Sequence, residues 1–137
     1  MKRTKQIVYL WLPVAVWCGL IFYLSSIPKL RAAENPFWDE IIRSILHFII
    51  YGVLFLLFFR AMNALKEKKD YLWPLVLSVL YSISDEFHQS LVPTRTFQLK
   101  DLVVDFAGVF LSNFVVWKWL PIVPEKLKNW AKKFQLI

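Results

Sequence analysis

A second cysteine is missing from this chain, and with it any disulfide scaffold: Cys18 stands alone among 137 residues. Histidine is nearly as scarce, with only His47 and His88. Neither H-E-x-x-H nor a Cys/His pair occurs. Asp85, His88, Asp101 and His47 offer oxygen and nitrogen ligands, but no metal-binding pattern joins them, and neither metal nor cofactor is expected. Internal repeats, low-complexity tracts and long linkers are also absent, so the length fits one domain, 1–137. What the chain does not lack is apolar surface. Hydrophobic residues make up 58% and aromatics 18%, with a mean hydropathy of +0.47. A soluble globular chain carries roughly 45–50% apolar residues, and a disordered one far fewer. Acidic residues are in deficit, 10 against 17 Lys and Arg, which leaves a net charge of +7. Such an excess points to nucleic acid only if the basic residues gather on one surface, so their placement decides.

Four windows approach the length of about 20 apolar residues that a membrane-spanning helix needs. They predict helices over about 7–25, 41–60, 71–92 and 101–120. The first is free of charge. Lys2, Arg3 and Lys5 before it resemble the start of a signal peptide, but the apolar run is long and no small-x-small cleavage site follows, so an uncleaved helix is expected. Pro36 and Pro93 punctuate two loops on one side, and Pro121 and Pro124 end the fourth helix. In the tail 125–137, Leu127, Trp130, Ala131 and Phe134 recur at helical spacing among Lys126, Lys128, Lys132 and Lys133. That pattern predicts an amphipathic helix lying on an anionic inner leaflet. A solvated tail is the alternative, since short helices are marginal in water. The expected fold class is therefore all-α: a polytopic membrane protein with four transmembrane helices and a C-terminal interfacial helix.

Sorting the charges by side explains the +7. The N-terminal tail, the second connection and the C-terminal part hold twelve Lys and Arg against Glu67, Asp70 and Glu125. The other side holds Lys29, Arg31, Arg43, Arg95 and Lys100 against seven acids, so the two sides carry nine net positive and two net negative charges. By the positive-inside rule both termini are cytoplasmic, in a bacterial cytoplasmic membrane crossed several times. Tyr71, Trp73, Trp117 and Trp119 mark the inner interface, Tyr23 and Trp38 the outer. The basic excess is a topology signal, and no nucleic acid is needed to explain it.

Ionisable groups at membrane depth are costly and by default mark function. Arg43, His47 and Tyr51 form one stripe on the second helix. Ser78, Ser82, Asp85 and Gln89 form another on the third. Asp101, Asp105, Gly108 and Ser112 line a small-residue face of the fourth, which allows close helix approach. The simplest packing turns all three stripes inward around a pocket at the outer surface, with Arg95 capping it. Plainer readings stand beside this one. His47 could simply satisfy a neighbouring carbonyl or carboxylate. Glu86 and His88 could be exposed interface residues, and Arg95 with Asp101 could be a salt bridge pinning the loop, a surface pair worth about 0–1 kcal/mol. Cys18 reads as a small apolar residue.

The segment Ser84–Gly108 resembles the signature of the VanZ-like membrane proteins. Asp85, Glu86 and Gln89 match that family's D-E-x-x-Q; Val92, Pro93 and Arg95 match its V-P-G-R; Asp101, Asp105 and Gly108 match its D-x-x-x-D/N-x-x-G. Arg43, His47, Phe48 and Tyr51 match R-K-x-x-H-F-x-x-Y on the second helix. Ser44 stands where the family frequently has Lys, and Thr94 where it has Gly, so another turn is expected before Arg95. The resemblance implies an association with glycopeptide (teicoplanin) resistance or the handling of the bacterial cell envelope. It implies no known reaction.

Three functions fit. The first is binding or transport of an envelope lipid, a lipid-linked cell-wall precursor or a glycopeptide by Arg43, His47, Tyr51, Asp85, Glu86, Gln89, Arg95, Asp101 and Asp105, the arginines gripping phosphate or carboxylate. The second is an intramembrane hydrolase or transferase, with His47 as a general base held by Asp85 or Asp105. The third is a structural partner subunit of a larger membrane complex. Ligand and oligomeric state stay open.

Overall fold

A computed structural model of the chain describes residues 2–28, 31–66 and 68–134. Lys29, Glu67 and the end of the amphipathic tail, 135–137, lie outside the described residues. Within them the protein is all-helical: α1 Lys2–Ser25, α2 Pro36–Asn63, α3 Leu72–Leu91, α4 Leu99–Phe114 and α5 Glu125–Lys133.

Local chemistry sets the boundaries. Asn35 caps α2, its side-chain oxygen accepting from Phe37 N at 2.9 Å, and Pro36 takes the first helical position. Pro36 therefore starts the helix instead of lying in the loop before it, and α2 begins about a turn earlier than expected. Asp70 accepts from Leu72 N and Trp73 N and opens α3. Asn63 is fully buried and locks the α2–α3 connection, donating to Asp70 O and accepting from Asp70 N, both at 2.7 Å. Beyond Phe114, α4 widens into a π-helical turn over Val115–Trp119, closed by Leu120 N to Val115 O at 2.8 Å. Pro121 follows, with no N–H to continue the ladder.

The first four helices run alternately up and down. The end of α1, the start of α2, the end of α3 and the start of α4 meet at one pole, as the Ser25–Asp85 and His47–Asp105 bonds require. The middle of the bundle is apolar, built on Leu10, Val14, Tyr51, Leu54, Phe55, Phe59 and Val109. At the opposite pole Arg60 of α2 lies over the Tyr9 ring of α1, 4.9 Å from its centroid.

Two helices, over Thr4–Ser25 and Pro36–Asn63, are long and apolar enough to cross a membrane. The shorter α3 and α4 are where the buried carboxylates sit. Large apolar side chains cover the outside, among them Tyr9, Leu12, Val16 and Phe22 on α1 and Ile45, Leu46 and Ile49 on α2. The aromatic residues Tyr23, Trp38, Trp73, Trp117 and Trp119 are exposed too. Leu127 and Trp130 of α5 and Phe134 at its C-terminal end face outward uncovered while Ala131 is buried, so α5 carries an apolar stripe.

Candidate functional site

The site depends on how close α2 and α4 come. A Cβ placed on Gly108 would collide with the backbone carbonyl of Phe48, and one on Gly52 would meet Ser112 Oγ at 2.9 Å. Small residues on both helices let the backbones touch. The residues one turn outward, His47 and Asp105, are thereby brought face to face.

Two buried carboxylates organise the polar pole, each in its own network. Asp105, 1% exposed, accepts from His47 Nδ1 at 2.9 Å and from Ser82 Oγ at 2.7 Å. Asp85 accepts from Ser25 Oγ at 2.5 Å on one oxygen, and from Tyr51 OH at 2.8 Å and Gln89 Nε2 at 2.9 Å on the other. Hydrogen bonds of this number are what allow a carboxylate to stay inside a bundle. The sequence left His47 a choice of two acids, and the geometry selects Asp105. With Nδ1–H committed to Asp105, His47 Nε2 makes no hydrogen bond among the described residues.

His47, Tyr51, Asp85 and Gln89 share a cavity of about 250 Å³ with Arg31, Arg43 and Arg95. Ile21, Leu24, Leu46 and Ile50 of α1 and α2 form its apolar wall. A second cavity of about 340 Å³ adjoins it, shares Arg31 and Arg43, and is rimmed by Glu34, Asp39 and Glu40. The rim is fixed. Asp39 accepts from Ala32 N at 2.5 Å and Ala33 N at 3.2 Å, and Lys100 bonds Glu40.

A model of the VanZ/LLP1 family matches residues 8–120, most of the chain and all four helices of the bundle. The chain belongs to the VanZ/LLP1 family. No curated protein and no solved structure matches it.

In this VanZ/LLP1 chain the matched residues do different jobs. Arg95 spends its guanidinium on the frame: Nε donates to Ile27 O at 3.1 Å, one terminal nitrogen to Leu24 O at 3.2 Å, and the other to Gln89 Oε1 at 2.9 Å. It ties the α3–α4 loop to the end of α1 and makes no salt bridge with Asp101, which corrects that reading. Burial pulls Arg95 down from its ordinary pKa, and neighbouring Arg43 pulls the same way, while Asp85, Glu86 and Asp101 oppose them. Glu86 is neither exposed nor in the cavity. It is 1% exposed and accepts from Gln98 N at 2.5 Å, pinning the start of α4 to α3. Asp101 is buried at the first turn of α4 and lines neither cavity described above. His88 is half-buried, stacked on Phe22 at 4.4 Å and bonded to Ser26 Oγ at 2.9 Å. It helps clamp α1 to α3. Among the described residues no three His, Cys, Asp or Glu side chains gather as a metal ion would require.

Thr94 also departs from expectation. Its φ is +73°, and Arg95 N bonds Val92 O at 3.1 Å, so Pro93 and Thr94 occupy the central positions of a tight turn that usually takes glycine second. The turn tolerates the substitution and keeps the backbone a glycine would give. Ser44 bonds back to Glu40 O at 2.9 Å and stays out of the site. The polar stripes of α2, α3 and α4 did not reveal Ser25 and Arg31. Their only trace in the sequence is position: Ser25 ends the charge-free first window, and Arg31 lies in the loop that follows.

Proposed function

We propose that the protein is a four-pass protein of the bacterial cytoplasmic membrane, with both termini cytoplasmic, that binds a cell-envelope ligand in a polar cavity at its outer face. Family membership and two helices apolar enough to span a membrane support a membrane location. The distribution of Lys and Arg supports the orientation. Uncovered Leu127, Trp130 and Phe134, set against Lys126, Lys132 and Lys133, support α5 resting on the anionic inner leaflet.

The observation that carries the reading is the cavity itself, which joins an aliphatic wall to a cluster of Arg, His and Tyr. Its volume, about 250 Å³, falls below the range of about 300–1,000 Å³ typical of drug-sized ligands. That favours the headgroup end of an envelope lipid or lipid-linked precursor over a whole glycopeptide. A role in glycopeptide resistance would then act through the lipid and not through capture of the antibiotic. The test is a phenotype assay with quantified membrane protein. His47→Ala and Asp85→Asn should each abolish the envelope or glycopeptide-resistance phenotype while the protein still accumulates in the membrane. Wild-type behaviour from both would overturn the proposal.

One observation favours a second reading, an intramembrane hydrolase or transferase. His47 is oriented by Asp105 with its other ring nitrogen unbonded, the arrangement of a general base. Turnover of a lipid-linked substrate by the purified protein, lost in His47→Ala, would establish it.

A further inference from the structure

The two arginines of the matched motifs that line the main cavity are not equivalent. Arg95 donates to three acceptors of the protein's own frame. Arg43 donates to none among the described residues, and its Nε is buried without any partner. A buried donor left unpaired costs about 1–3 kcal/mol, more when charged, so a guanidinium without a hydrogen bond, attracted only through space by Asp39 and Glu40 and set in a wall shared by two cavities, is a site waiting for an acceptor. Arg43 and His47 are one helical turn apart on the same face of α2, and Arg31 lines both cavities with them or beside them. The carboxylate that also lines the main cavity, Asp85, already has both oxygens occupied by Ser25, Tyr51 and Gln89. Three guanidinium groups therefore face that cavity against one carboxylate. Its other wall is aliphatic and runs out to Leu46, which is 46% exposed on the apolar surface of α2.

We propose that the cavity binds a lipid phosphomonoester, with Arg43 as the direct ligand of the phosphate, Arg31 and His47 completing the grip, and the chain leaving past Leu46 between α1 and α2. Arg95 is a positioning residue. A phosphate offers three terminal oxygens to donors converging from a loop and a helix, and Arg is the side chain best shaped to bond two of them at once. The inference rests on the outer-face cavity being the ligand site and adds the chemistry of the ligand.

The test uses the full chain in nanodiscs of phosphatidylcholine, with lysophosphatidic acid as probe, and the monoacylglycerol of the same chain and inorganic phosphate as comparators. Lysophosphatidic acid should bind, with monoacylglycerol and inorganic phosphate each at least about tenfold weaker. Arg43→Gln should weaken lysophosphatidic acid by about tenfold or more and leave monoacylglycerol unchanged, and Arg43→Lys should restore part of the loss. Leu46→Trp, at an exposed position, should block both lipids. Equal binding of the two lipids, blocked by Leu46→Trp, overturns the phosphate assignment and leaves the cavity as a lipid site. Inorganic phosphate binding as tightly as the lipid overturns the lipid assignment. Lysophosphatidic acid binding untouched by both Arg43→Gln and Leu46→Trp overturns this inference and the cavity reading together.

Discussion

Gly108 of α4 sits so tightly against the carbonyl oxygen of Phe48 on α2 that no methyl group fits between the two backbones. The contact lies next to His47 on α2 and one turn from Asp105 on α4, and it sets the distance across which the His47–Asp105 hydrogen bond forms. Gly108→Ala must therefore push the helices apart. It should cost about 1–3 kcal/mol of stability, the range for overpacking a tight interior, and weaken ligand binding at the same time. Gly52→Ala crowds the Ser112 hydroxyl, which can rotate away, and otherwise reaches the Gly108 backbone only at ordinary contact distance, so it should cost less. Thermal unfolding of the purified protein in detergent checks both, and equal stability of Gly108→Ala and the parent would contradict the close crossing.

His47 and Asp105 should behave as a unit. Removing His47 alone leaves a buried carboxylate with only Ser82 as partner, and depriving a buried acceptor of a hydrogen bond costs about 1–3 kcal/mol. The double variant His47→Leu/Asp105→Leu removes both partners of the bond together and should be more stable than His47→Leu. A double-mutant cycle on unfolding free energies measures the coupling. Additive effects would show that the two side chains do not interact.

Thr94 holds a left-handed backbone that disfavours a branched side chain. Thr94→Gly should change stability by no more than about 1 kcal/mol, since glycine removes the strain but gives up the threonine's own interaction and adds freedom to the unfolded chain. Its effect on ligand affinity should be small, because Arg95 keeps its three acceptors. A destabilised Thr94→Gly protein would mean that the threonine side chain contributes more than its backbone costs.

Orientation can be read by labelling. In a Cys18→Ser background, Thr96→Cys lies exposed in the loop before α4 and should react with an impermeant thiol reagent on intact cells. Lys126→Cys, on α5, should react only after the membrane is opened. The reverse pattern would invert the topology.

Much of this was legible before any coordinates. Hydrophobic runs and proline positions marked the helices of the bundle because burial and hydrogen-bonding rules act locally, and errors were confined to the ends, as at Pro36, where a proline can start a helix as well as interrupt one. Helical periodicity put Arg43, His47 and Tyr51 on one face, and Asp85 with Gln89 on another, for the same reason. The VanZ-like resemblance pointed to residues that the bundle gathers at one pole, although Glu86 and Asp101 line neither cavity there.

Periodicity gives each helix its polar face but not the distance or the rotation between helices. Those were decided by the Gly108–Phe48 contact, and with them the choice of Asp105 over Asp85 as the partner of His47. Residues equally matched to the motif were sorted by packing into different jobs: Glu86 and Arg95 hold loops, while Arg43 is left with unspent donors. Ser25 entered the site only because α1 folds back against α3. The sequence by itself determined which residues are polar and which way each helix presents them, because those properties depend on neighbours a turn away. Which of them meet, and which stay free to bind something else, depends on atoms far apart in the chain, and only the tertiary structure brings those together.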